Sequence, residues 1–320
     1  NYHCFAFVDS FNDTFTLNMA DIVNNTLVPS NKTVSLTKTV LSENPVLVKK
    51  VIATGGKKIG YLMYNGFYST YDTQLNDAFG FFKSEGVTDL VLDLRYNGGG
   101  SVTTATYLAS MITGQFNGEV FAKQQWNPKA NAYFESTDPD GLKNFFTNKI
   151  GTTPINSLNM TKVYILTTGG TASASELVIN GLKPYISVVQ IGTTTVGKNV
   201  GSITLYDSPT FGRTNVNKNH KYAMQPIVLK IVNSKGIGDY FNGLEPTHTL
   251  AETISTFGVL GNENEPLLKA AIGKITGTGK TIKQSTGKQF EFFKDSKSID
   301  GIRNQMYLEK APEGLQKALD

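Results

Sequence analysis

Twice in this chain a short run of apolar, β-branched-rich residues ends in a cluster of glycines and is followed at once by a helix-like stretch. Residues 91–95 run into Tyr96-Asn97-Gly98-Gly99-Gly100. Ser101 then stands where a helix over 102–113 takes its N-cap, with Gly114 just past the helix end. Residues 163–166, Val-Tyr-Ile-Leu, run into Gly169-Gly170, and Ser173 precedes a helix that stops before Pro184. Short buried strands alternating with helices predict an α/β fold: a mostly parallel sheet with helices on both faces. Three glycines in succession are costly in chain entropy and suit a place where backbone must approach a neighbour closely. A tight turn between strand and helix also accounts for them.

The rest of the chain extends this pattern. Strands are expected at 46–52, 58–64 and 90–94, and a helix at 73–84 that Gly86 ends. Strands at 203–205 and 227–232 and a helix at 267–272 come later. Residues 116–159, rich in Asn, Lys and aromatics such as Trp126, Tyr133 and Phe134, form a candidate cap over a site or a plain surface insertion. Residues 1–42 contain Thr14-Phe15-Thr16-Leu17 and Thr33-Val34-Ser35-Leu36-Thr37, which alternate like antiparallel strands. The layout is therefore a small β module over 1–42, a core over 43–275 and a Lys- and Gly-rich tail over 276–320.

Composition excludes several classes. A net charge of +4 over 320 residues, without a basic block, argues against a nucleic-acid partner. The single cysteine, Cys4, rules out an internal disulfide and gives a zinc cluster no support. No apolar run approaches the ~20 residues of a membrane helix. Asn1 is not an initiator methionine and no signal-type region comes after it, which reads as an excised or processed form.

Ser173 is the candidate nucleophile. A serine hydroxyl attacks poorly until a neighbouring base takes its proton. The chain has three histidines, His3, His220 and His248, and none lies between His3 and Lys198. Lys198 is therefore the candidate base. The Ala174 N–H, at a helix start that favours negative charge, is a candidate oxyanion donor, and a glycine N–H of the 98–100 turn is a second. The plainer alternative is that Ser173 only caps a helix.

Three strings together resemble the C-terminal processing peptidases, or tail-specific proteases, of the S41 class of serine peptidases. They are Asp93-Leu94-Arg95-Tyr96-Asn97-Gly98-Gly99-Gly100, then Thr171-Ala172-Ser173-Ala174-Ser175-Glu176, then Gly192 with Val196-Gly197-Lys198. The resemblance covers about residues 43–275 and runs closest to members from Bacteroidetes-type bacteria. It implies a crotonase/ClpP-like core, Ser173 as nucleophile, Lys198 as base and Gly99 in the oxyanion hole. It also implies a partial PDZ-like module over 1–42 and polypeptide substrates, C-terminal tails among them. No cofactor or metal is implied, and the location would be the bacterial cell envelope, periplasmic or outer-membrane-associated.

There are departures. Many members carry a glutamine four residues after the lysine; here that position is Ser202, the candidate third member of the site. Gly98 replaces the proline of the common turn, and Pro184 stands near the place of an aspartate used by some members. Residues 192–199, Gly-Thr-Thr-Thr-Val-Gly-Lys-Asn, nearly spell a phosphate loop. Asn199 lacks the magnesium-binding hydroxyl, and residues 199–205 read as a strand rather than the helix a phosphate loop requires, so nucleotide is not an expected ligand. Two rival readings stand beside the peptidase: a non-catalytic peptide-binding scaffold, and a crotonase-type acyl-CoA enzyme with Glu176 as its one candidate acid.

Overall fold

The computed structural model describes residues 13–24, 26–253, 257–279, 306–310, 312, 314, 315 and 317. Its elements begin with β1 (Thr14–Val23), β2 (Thr26–Thr37), β3 (Val46–Thr54), β4 (Lys57–Tyr64), α1 (Asp72–Ser84), β5 (Asp89–Asp93) and α2 (Val102–Thr113). Next come β6 (Val120–Trp126), α3 (Pro128–Thr137), β7 (Lys143–Phe145), β8 (Lys149–Ile150), β9 (Thr153–Pro154), β10 (Lys162–Thr167), α4 (Ala174–Leu182) and β11 (Ser187–Gly192). The chain continues through β12 (Val200–Ser202), β13 (Leu205–Tyr206), β14 (Ala223–Met224), β15 (Ile227–Asn233), β16 (His248–Thr249), α5 (Pro266–Thr276) and β17 (Met306–Tyr307).

Side-chain alternation along three central strands fixes the layers. Successive residues of a strand face opposite sides of the sheet. Leu62, Leu90, Leu92, Val163 and Ile165 point to one side, where they join Phe79 and Phe82 of α1, Leu108 and Ile112 of α2, and Leu177 and Val178 of α4. Tyr61, Met63, Val91, Tyr164 and Leu166 point to the other, onto Leu267, Leu268 and Ala271 of α5. The sheet has the order β16-β11-β10-β5-β4-β3. Every pairing is parallel except the edge pair β3–β4. The expected mostly parallel sheet with helices on both faces is the one observed.

A second sheet, order β17-β12-β15-β6-β7, is largely antiparallel. It packs on the far side of α4, which touches β11 of the first sheet and β6 and β15 of the second. A Cβ at Gly181 would lie 2.3 Å from the Phe121 ring, so only glycine lets α4 sit this close to β6. The segment 116–159, a candidate cap from sequence, thus supplies an inner strand of this sheet, and Phe121 and Phe146 are buried in the main core. β17 comes from the tail over 276–320, whose composition carried no strand signal.

The described part of residues 1–42 is a hairpin, β1 with β2, paired from Thr14↔Thr37 to Val23↔Thr26 with an irregularity between Asn18 and Ala20. It forms a two-stranded sheet of its own and exposes Val23, Leu27, Val28 and Val34. This hairpin does not establish the PDZ-like module that the resemblance implies.

Candidate active site

Because β5, β10 and β11 are parallel neighbours, the loops leaving their C-terminal ends meet at one edge of the sheet. Asn97, buried in the first loop, stitches that loop to the second. Its carbonyl accepts from the Ala172 N–H at 3.1 Å and from Ser175 Oγ at 3.0 Å. Its Nδ2 donates to the Tyr64 carbonyl at 2.9 Å, and its Oδ1 accepts from the Gly99 N–H at 2.9 Å. Thr171 Oγ1 adds a bond to the Leu94 carbonyl at 2.8 Å.

Ser173 stands at the start of α4 with φ 63° and ψ −114°. A residue with a side chain is strained there, at a cost of about 1–3 kcal/mol that the surroundings must offset. Its Oγ is buried without a hydrogen-bond partner, so the hydroxyl is not spent on capping. Buried polar atoms are rarely left this way, and an exception points to function. The Ala174 N–H has no acceptor among the described residues. Gly99, at φ +112°, lies against both: a Cβ on it would fall 2.6 Å from Ser173 Cβ and 2.9 Å from the Ala174 nitrogen. Glycine at this position keeps open the space in front of that N–H. The Gly99 N–H itself is engaged by Asn97 in this conformation.

Glu176 links the serine to the lysine loop. Its carboxylate is fully buried. One oxygen accepts the Ser173 N–H at 2.7 Å and the Lys198 N–H at 2.8 Å. The other accepts the Gly197 N–H at 2.6 Å and Thr195 Oγ1 at 2.5 Å. The loop that nearly spells a phosphate-binding motif therefore turns its N–H groups onto the chain's own carboxylate. Past Lys198 the chain enters strand β12, not a helix.

Lys198 is half-buried. Burial lowers the pKa of its ammonium below the usual lysine value, with the Glu176 charge opposing. That is the direction a lysine base needs. Ser202 Oγ donates to the Met306 carbonyl at 3.2 Å and accepts from Gln225 Nε2 at 3.1 Å.

Comparison with known proteins finds a family and a related fold. The model of peptidase family S41 covers residues 58–217. A solved Bacteroides fragilis protein assigned to the S41 proteases is 31% identical and superposes with a TM-score of 0.68, over 84% of this chain and 68% of that one. This chain belongs to peptidase family S41. The chloroplastic C-terminal processing peptidase of Tetradesmus obliquus is 28% identical over 181 residues, which is 53% of this chain. The match spans about a third of that relative, 35% of its length.

Within this S41 chain, sequence reasoning singled out Ser173, Ala174, Gly99 and Lys198, and the structure brings their loops together. It missed Asn97 and Thr195, and it weighed Glu176 only as an acid for acyl-CoA chemistry. The Ser-x-x-Glu spacing was the available signal: it is the pattern of a capping box, in which a glutamate reaches back to the N-cap N–H. That half of the box is made. Arg95, just before the glycine turn, was likewise passed over. It is fully buried, pairing with Asp93 at 2.7 Å, Glu252 at 2.7 Å and Glu265 at 2.8 Å.

Proposed function

We propose that this S41 chain is a serine endopeptidase working through a Ser173–Lys198 dyad on polypeptide substrates, C-terminal tails among them. The observation that carries the reading is the Glu176 carboxylate, which binds the backbone of the serine and of the lysine at once and so fixes one against the other. Lys198 Nζ, whose pKa burial lowers, takes in its free-amine form the Ser173 Oγ proton as that oxygen attacks the scissile carbonyl. The oxyanion is received by the Ala174 N–H and by a donor of the 98–100 turn; Gly99 serves if its N–H leaves Asn97 Oδ1. Collapse of the tetrahedral adduct breaks the C–N bond, and the Lys198 ammonium returns its proton to the leaving amine. Lys198 then activates a water that hydrolyses the ester on Ser173. A cell-envelope location in a bacterium belongs to the same proposal, and cell fractionation tests it.

Labelling with a fluorophosphonate, and then peptide mapping, tests the dyad. The expected label is on Ser173. Ser173→Ala abolishes cleavage of an unfolded protein, whereas Ser175→Ala, whose hydroxyl serves the Asn97 carbonyl, keeps it. Lys198→Arg is inactive because a guanidinium does not deprotonate near neutrality. Wild-type activity rises with pH through the lowered Lys198 pKa, since only the free amine is a base. Full activity in Lys198→Arg would overturn the dyad. Binding of unfolded protein without cleavage would favour the non-catalytic scaffold, a reading whose one support is Ser202 in place of glutamine.

A further inference from the structure

The glycine turn after β5 and the strand after Lys198 are joined by a piece of chain from far along the sequence. β17 lies parallel to β12, with Gly201 opposite Met306 and Ser202 opposite Tyr307. On its other edge Tyr307 bridges to Ser101. The Tyr307 N–H donates to the Gly100 carbonyl at 3.1 Å, and the next N–H, of Leu308, donates to the Ser202 carbonyl at 3.1 Å. Ser202 Oγ adds its bond to the Met306 carbonyl. Two residues thus bond in opposite directions, one to the glycine turn and one to the lysine strand.

The segment is anchored at both ends. Met306 is fully buried in the main core, and Leu315 is buried there too. The Glu309 carboxylate accepts hydrogen bonds from Ser101 Oγ and, at 2.8 Å, from Thr103 Oγ1. Ser101 is the N-cap of α2, its Oγ accepting the Thr104 N–H at 2.9 Å, so Glu309 also sits where the helix favours negative charge. A glycine-rich turn has much freedom to lose. This one is restrained by Asn97 from inside, by Phe67, which donates to the Gly99 carbonyl and accepts from Ser101, and by Tyr307 and Glu309 from outside.

We propose that residues 306–309 are a strap that sets the oxyanion turn against the lysine strand, and that Glu309 is a positioning residue for the hydrolysis; the kinetic part rests on the dyad reading above. The bonds of the strap run to the supports of the reacting groups, the glycine turn and the strand after Lys198. It therefore acts on the transition state more than on substrate binding.

Two variants test it in the full chain, each with its melting temperature measured: Glu309→Ala, and Glu309→Gln, which keeps one acceptor and the shape. Amide hydrogen exchange at 98–101 and 200–203 is read first, because it does not depend on activity. The expected result is faster exchange in Glu309→Ala at these residues, with the α1 and α5 amides unchanged, and partial recovery in Glu309→Gln. The turnover expected is a kcat lower by about 10- to 100-fold with KM within about threefold, as for a misplaced but intact site. Unchanged exchange in both variants overturns the strap. A higher kcat or lower KM in Glu309→Ala also overturns it, and would make the segment a competitor of substrate. Faster exchange in Glu309→Ala, together with a wild type that shows no Ser173-dependent hydrolysis, keeps the strap and removes the dyad.

Discussion

Two buried charges flank the site, and the chain neutralises them in different ways. Arg95 is surrounded by side chains: Asp93 from the end of β5, Glu252, and Glu265, which also caps α5 through the Leu267 and Leu268 N–H groups. Tyr61 and Tyr96 donate to Asp93 and Glu252 and complete the cluster. Burial alone would lower the Arg95 pKa, but the carboxylates, Asp93 first, hold it above the ordinary arginine value. Burial raises Glu252, with Arg95 opposing, as expected where three carboxylates share one guanidinium. Glu176 is met instead by three backbone N–H groups and one hydroxyl, all in the loops of the candidate site. The first arrangement joins secondary-structure elements; the second sets the path of the backbone where chemistry is proposed. The cost of disturbing each should fall on different observables.

The largest effect on folding is expected from Arg95→Met. Removing the one cation leaves three carboxylates buried together, and breaking such a cluster costs about 3–5 kcal/mol. Urea unfolding would measure it, and a loss under about 1 kcal/mol would show that the cluster is solvated or protonated instead. Glu176→Gln should sharpen the contrast. An amide NH2 facing backbone N–H groups leaves at least one donor unsatisfied, at about 1–3 kcal/mol each. The larger consequence is kinetic: kcat should drop by about 100-fold or more as serine and lysine loops lose register. A Glu176→Gln enzyme with normal kcat would mean that this carboxylate does not position the dyad.

A third buried charge gives a smaller effect with a defined sign. Burial pushes the Asp72 carboxyl up to about 6, against the Thr104 hydroxyl bonded to it at 2.7 Å and with Glu309 adding to the rise. Between about pH 4 and 6 the native state holds this proton more tightly than the unfolded chain, whose carboxyl titrates near ~3.9. Its contribution is therefore full below about pH 4 and lost as pH rises through about 6, by at most about 3 kcal/mol. Asp72→Asn should remove that part of the pH dependence and stabilise the chain at pH 7. Identical stability–pH curves for the two proteins would place the Asp72 titration in the ordinary carboxylate range.

The parts read well from sequence share one property: their signals are local. α2 spans the expected 102–113, and β10 contains the expected 163–166, because apolar runs bounded by Gly, Ser and Pro report on themselves. The second sheet was legible only in part: β15 contains the expected 227–232 and β12 falls within the expected strand over 199–205, but β6, β7 and β17 were not foreseen. β17 has two residues, too short for any periodicity, and its partners lie far away along the chain. β6 was hidden because Lys123, Gln124 and Gln125 make its strand look like surface. Ser202 was expected beside the lysine; the bonds of its hydroxyl to Met306 and Gln225 are ones that no spacing rule predicts. Glu176 was half legible. Its bond to the Ser173 N–H is a product of the local pattern, whereas its bonds to Thr195, Gly197 and Lys198 depend on how the sheet folds.

The same carboxylate bears on how this loop reads to anyone scanning for nucleotide sites. A string of the form G-x-x-x-x-G-K advertises a seat for a phosphate. Here the seat is taken by an anion tethered three residues from Ser173. A tethered group competes at an effective concentration that free solutes at ordinary dilution do not approach. Phosphate, sulfate or a nucleoside triphosphate would have to evict Glu176 from four hydrogen bonds before touching the loop. The resemblance to a phosphate loop is therefore one of spelling, and the bound anion is built into the chain.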